Sequence, residues 1–105
     1  MEDDSVLIEY FGDTPIIRII DFLLENRLFD YSKKQIIEET GMSKATFYRY
    51  WERIVEMELV KPTRSFGKTT LYKLNEANPV VDKIKELEMA LIERAAPIAT
   101  KAIPS

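Results

Sequence analysis

The chain has 105 residues, of which 46% are hydrophobic and 31% charged, a balance that supports one globular domain with a modest core. It contains no cysteine and no histidine. That excludes disulfides, zinc–thiolate centres and thiol catalysis, and removes the commonest metal ligand and the commonest general base together. The formal net charge of −3, taken whole, argues against nucleic acid, but residues 1–31 carry −6, residues 32–73 carry +4 and residues 74–105 carry −1. A local basic face matters more than the whole-chain balance, because exposed charges are screened beyond about 10 Å at 0.1 M salt.

Met1 is followed by Glu2, Asp3 and Asp4, not by a basic segment and an apolar run. No apolar stretch approaches the roughly 20 residues that span a bilayer. The expectation is a soluble, cytoplasmic protein.

In chain order, Ser5 to Phe11 reads as a short amphipathic turn or helix that Gly12 ends. Asp13 or Thr14 caps the next helix and Pro15 suits its first turn. Ile16, Ile19, Ile20, Phe22, Leu23 and Leu24 give that helix a wide apolar stripe, and Asn26 and Arg27 end it. Phe29-Asp30-Tyr31 reads as a three-residue strand. Ser32 followed by Gln35 is a capping-box pattern, opening a helix of about two turns in which Ile36 and Ile37 face inward and Gly41 is the stop.

Ser43 caps the helix that follows, in which Phe47, Trp51, Ile54 and Met57 recur on one face. Residues 59–64 and 69–75 read as the two strands of a hairpin, with Pro62 at an edge position and Ser65-Phe66-Gly67-Lys68 as its tip. Asn78 caps and Pro79 opens a last helix. Its apolar residues Val80, Ile84, Leu87 and Leu91 are spaced 4, 3 and 4 apart, as in a seam that pairs with a twin, although the same spacing also suits a helix covering its own core. Residues 96–105, with two prolines and no period, are expected to form a flexible tail.

Helix, short strand, helix, tight turn, helix and hairpin is the order of a winged helix-turn-helix, so the expected class is mainly α (α+β). The chain resembles the winged-helix transcription regulators common in archaea, related broadly to the MarR and ArsR families. The residues that carry the resemblance are Phe11-Gly12, then Gly41, Ser43 and Thr46, Ile54, Leu59-Val60, Arg64 with Gly67-Lys68, and Tyr72 to Asn75 followed by Asn78-Pro79. One departure stands out: Glu58 occupies a position where such regulators often carry glycine.

The resemblance implies a DNA-binding domain over residues 1–78, a dimerisation helix over 79–95 and a homodimer. The helix from Ser43 would be the recognition helix, entering the major groove of double-stranded DNA by its N-terminal end. Candidate DNA contacts are Lys33, Ser43, Lys44, Ala45, Thr46, Tyr48, Arg49 and Arg53, with Arg64, Phe66 and Lys68 from the wing. Arginine pairs with guanine, Ser and Thr reach bases or phosphates, and the methyl groups of Ala45 or Thr46 suit thymine. Candidate dimer contacts are Val80, Ile84, Leu87 and Leu91.

Plainer readings stand beside these. Ser43 is first a cap, Arg53 has Glu52 and Glu56 for partners, and Tyr48 and Tyr50 suit a neighbouring helix or a dimer partner. Phe66 either folds back on the sheet or inserts between bases. No catalytic constellation is present: Glu38-Glu39, and Glu86 with Glu88, point different ways on a helix and lack companions. No cofactor is expected and no residue identifies an effector. The alternative to a DNA-binding regulator is a winged-helix interaction module in the replication, transcription or chromosome-organising machinery.

Overall fold

A computed structural model describes the backbone of residues 5–102 and the side chains of residues 5–95. The elements are α1 (Val6–Phe11), α2 (Pro15–Glu25), β1 (Tyr31–Ser32), α3 (Lys33–Thr40), α4 (Lys44–Glu56), β2 (Val60–Phe66), β3 (Thr69–Leu74) and α5 (Pro79–Ala102). Helix starts are set by local side-chain chemistry. The hydroxyls of Ser5, Thr14, Ser32 and Ser43 each accept the backbone N–H three residues on. At Ser32 the box is closed, because its own N–H donates to Gln35 Oε1 at 2.8 Å.

Gly41, at φ 71°, ends α3 in the left-handed region, and three residues later α4 begins. That stop makes the sharp turn between the two helices. Arg18 ties the turn to α2: its guanidinium donates to the Thr40 carbonyl at 2.7 Å and pairs with Asp13.

The core lies where α2, α3 and α4 converge. Leu23 and Leu24 of α2, Ile36 of α3, and Phe47 and Ile54 of α4 are fully enclosed. Phe47 stacks on Trp51, and Trp51 meets Tyr72 of β3 edge-on, so one aromatic column joins α4 to the sheet. The sheet is antiparallel in the order β1-β3-β2. Leu7 and Val81 close the core from α1 and α5.

Three expectations from sequence are corrected. The first strand is Tyr31–Ser32, not 29–31, because it pairs with Tyr72 and Leu71; Asp30 lies before it. Met57 is the C-cap of α4 and exposed, not inward. The wing strands run to Phe66 and from Thr69, leaving a two-residue turn of Gly67 and Lys68. Gly67 has φ 60° and Lys68 does not share the positive φ, the pattern of a type II′ turn.

The stripe of α5 is also divided. Val81 is buried, and Ile84 and Leu91 pack against the domain's own core. Val80 and Leu87 are 55% and 40% exposed. At about 100° per residue, the Val80–Ile84–Leu87–Leu91 line is rotated by about 50° from the inward line Val81–Ile84–Glu88–Leu91. Glu88 therefore sits half-buried, and this burial raises its carboxyl above the ordinary range, with the charge of Asp21 adding to the effect. Helical backbone continues past residue 95 to Ala102; the side chains of the expected tail, 96–105, lie outside those described.

The end of α4 carries the one non-glycine residue with positive φ among those described, Glu58 at φ 57°. Its N–H donates to the Val55 carbonyl and that of Leu59 to the Ile54 carbonyl, the paired bonds of a Schellman ending with Glu58 where glycine is usual. Leu59 and Ile54 are both buried, which closes the motif. A side chain in this region costs roughly 1–2 kcal/mol, against 0.5–1 kcal/mol for glycine's extra freedom when unfolded. Glu58→Gly is therefore expected to raise unfolding free energy by about 0.5–1 kcal/mol in urea titration; an unchanged or lower value would contradict the strain.

Candidate nucleic-acid interface

Helix α4 has two faces because its apolar residues recur every three to four positions. Phe47, Trp51 and Ile54 point into the core. At about 100° per residue, the line farthest from them holds Ala45, Arg49, Glu52 and Glu56, with Lys44 and Tyr48 on one flank and Arg53 on the other. Ser43, Lys44, Ala45, Tyr48, Arg49 and Arg53 are exposed and Thr46 is half-buried. Lys44, Arg49 and Arg53 form no ion pair among the described residues, so Arg53 is not held by Glu52 or Glu56.

The sequence reading missed the sign change along this line. Its first two turns are basic and its last two acidic, through Glu52 and Glu56. A polyanion lying along the whole helix would meet both carboxylates. One approached by the N-terminal end alone meets Lys44 and Arg49, together with the positive end of the helix dipole. The signal was present in the sequence and needed only the helical angle of Glu52 relative to Arg49.

Four candidates are engaged with one another, as two pairs. The Ser43 hydroxyl accepts the Thr46 N–H at 3.1 Å and donates to Thr46 Oγ1 at 2.9 Å, so its one donor is used within the cap. Lys33, half-buried at the start of α3, sets its ammonium 5.5 Å from the centre of the Tyr48 ring. This cation–π contact ties the two helices and holds Tyr48 in place at their junction.

In the wing, Arg64 and Lys68 are both exposed. Lys68 occupies the turn. Arg64 forms a two-pronged pair with Asp30, Nε to Oδ2 at 3.0 Å and Nη2 to Oδ1 at 3.1 Å. The pairing holds the Asp30 carboxyl below its usual range and raises the Arg64 guanidinium. Phe66 does not fold away against the sheet: it is 61% exposed, and the Arg64 guanidinium carbon lies 5.3 Å from the centre of its ring. Asp30 was not foreseen as part of the wing, since nothing local links residues 34 positions apart. Exposed Lys61 on β2 was also passed over.

A long helix after the hairpin, a glycine-stopped turn between α3 and α4, and a two-stranded wing beside them define the architecture. It is a winged helix-turn-helix. Among the solved structures that share it are two of ZitR. One is a single-site variant of Lactococcus lactis ZitR, 18% identical, with a TM-score of 0.60 over 80% of this chain and 60% of that one. The other is an apo form of ZitR in which a cysteine and a histidine are replaced, 18% identical, with a TM-score of 0.63 over 90% of this chain and 74% of that one. ZitR is a MarR-family regulator; at this identity the likeness is one of fold. The chain spans about three-fifths of the first ZitR structure's length. No family model matches the sequence, and no curated protein matches it.

If Ser43 serves α4 chiefly as its cap, Ser43→Ala should lower unfolding free energy by about 1 kcal/mol, read by thermal or urea denaturation. No change would mean that the two hydroxyl contacts contribute nothing to the helix start.

Proposed function

We propose that the chain is a sequence-specific, double-stranded-DNA-binding transcription regulator that acts as a homodimer. The observation that carries this reading is the exposed set Lys44, Tyr48 and Arg49 on the first two turns of the second helix of a helix-turn-helix, with Lys44 and Arg49 in no ion pair among the described residues. That helix end enters the major groove in proteins built this way. The transcription-regulator neighbours support it as fold analogy.

Dimerisation is proposed through the outer flank of α5, at Val80 and Leu87, with Ile84 and Leu91 shared between that flank and the domain's own core. Two recognition helices would then address half-sites about one helical turn, roughly 34 Å, apart. A metal-responsive version is not part of the reading. The chain has no histidine or cysteine, and no group of acids among the described residues is arranged to hold a metal ion.

One observation favours a second reading, the interaction module. Leu28 and Phe29, in the loop before β1, are 83% and 62% exposed, a pair of apolar side chains that protein surfaces use for contact. On that reading the purified protein binds duplex DNA no better than its overall charge allows.

Arg49→Ala is expected to weaken binding to the preferred duplex by about 1–3 kcal/mol and to relax preference at one base step in each half-site. Fluorescence anisotropy on that duplex and on an unrelated one checks this. Equal loss on both would make Arg49 a phosphate contact only, and no loss would remove it from the interface. For the dimer, Leu87→Lys should leave a folded monomer in sedimentation, whereas Leu91→Lys should destabilise the domain itself by roughly 2 kcal/mol or more, because Leu91 also packs inward. A wild-type protein that is monomeric at tens of micromolar would end the dimer proposal.

A further inference from the structure

The wing arginine is held more tightly than an exposed side chain needs to be. Strand β2 pairs Pro62 with Tyr72 and Arg64 with Leu71, so Thr63 is an extra residue in a bulge. A bulge re-aims the side chains that follow it. Here Thr63 and Arg64 both reach one carboxylate, that of Asp30. Thr63 Oγ1 donates to Asp30 Oδ2 at 2.5 Å, and the guanidinium donates to both carboxylate oxygens. Asp30 is itself well covered, its side chain only 16% exposed against 61% for Arg64. The guanidinium carbon also lies 5.3 Å from the centre of the Phe66 ring. One edge of the planar group is fixed by the carboxylate.

A guanidinium has five N–H donors. Asp30 uses one on Nε and one on Nη2; the other three, one on Nη2 and two on Nη1, are not used by it. The pair is close to electrically neutral, so Arg64 offers little general attraction for phosphate. What it offers is direction, since a two-pronged Arg–carboxylate contact fixes geometry as well as energy.

We propose that Asp30 is a positioning residue for DNA recognition: it presets the free edge of Arg64 so that the wing contributes discrimination between duplexes more than overall affinity. This rests on the DNA-binding reading above. It makes an unusual demand, because removing a negative charge beside a polyanion should impair selection while helping general binding.

The test uses the full chain and Asp30→Asn, which keeps size and removes charge. Two duplexes are compared by anisotropy across a salt series: one selected from random sequence by the wild-type protein, and one unselected. The variant should lose about tenfold in the affinity ratio of selected to unselected duplex. Its salt dependence on the unselected duplex should steepen by up to about 0.9 per subunit, as a freed positive charge meets phosphate. Arg64→Lys, which keeps charge but loses the two-pronged geometry, should lose selectivity similarly without the steeper slope.

In an Arg64→Ala background, Asp30→Asn should change the ratio no further. A merely structural role moves different readouts. Equal loss on both duplexes with a lower melting temperature, or an unchanged ratio with a steeper slope, would overturn the proposal and leave the DNA-binding reading intact. A wild-type protein that selects no duplex would overturn both.

Discussion

The carbonyl of Glu58 is the point on which the rest of the molecule turns. It accepts the side-chain amide of Asn75 at 3.0 Å and that of Asn78 at 2.9 Å, and Asn78 also reaches the Met57 carbonyl at 3.1 Å. These are the open carbonyls at the end of α4, which need partners from outside the helix. The same Asn78 accepts the Val80 N–H at 2.8 Å and so starts α5. The Asn75 N–H donates to the Leu59 carbonyl, holding the end of the sheet to its beginning. One strained residue and two asparagines thus join the recognition-helix candidate, the wing and the last helix at a single place.

That joint has a mechanical consequence. Neither α4 nor α5 can change direction without giving up bonds that the other also uses. The aromatic column Phe47–Trp51–Tyr72 reinforces the link from inside, and Arg18 fixes the turn between α3 and α4 to α2. The basic N-terminal end of α4 is therefore presented on a rigid frame, while any apposition of two α5 helices sets where a second such end lies. In the proposed dimer, the spacing of half-sites follows from this connection rather than from a flexible tether.

What the sequence made legible was chemistry confined to a few residues. The Ser32/Gln35 box, the capping hydroxyls, the glycine stop at Gly41 and the inward line Phe47–Trp51–Ile54 all rest on contacts within one helix, and each is in place. Glu58, which stands where such regulators often carry glycine, adopts φ 57°. The misses share a different cause. Phe66 falls at the expected tip because it lies between the segments 59–64 and 69–75, yet main-chain pairing with Thr69 extends the strand through it.

The spacing of Val80, Ile84, Leu87 and Leu91 left two faces of α5 open, and the half-buried position of Glu88 shows that the side facing the domain is rotated from that line. Asp30 was counted with an acidic head, although tertiary pairing makes it part of a basic wing. In each case long-range packing or sheet pairing overrode what the local residue type suggested. The basic middle of the chain is real as composition, but Glu52 and Glu56 narrow it on α4 and Asp30 offsets it on the wing. The most direct measurement is selection of bound sequences from a pool of random duplex DNA by the purified protein. The account predicts an enriched two-fold-symmetric consensus with half-sites about one helical turn apart; recovery of the pool without enrichment would contradict it.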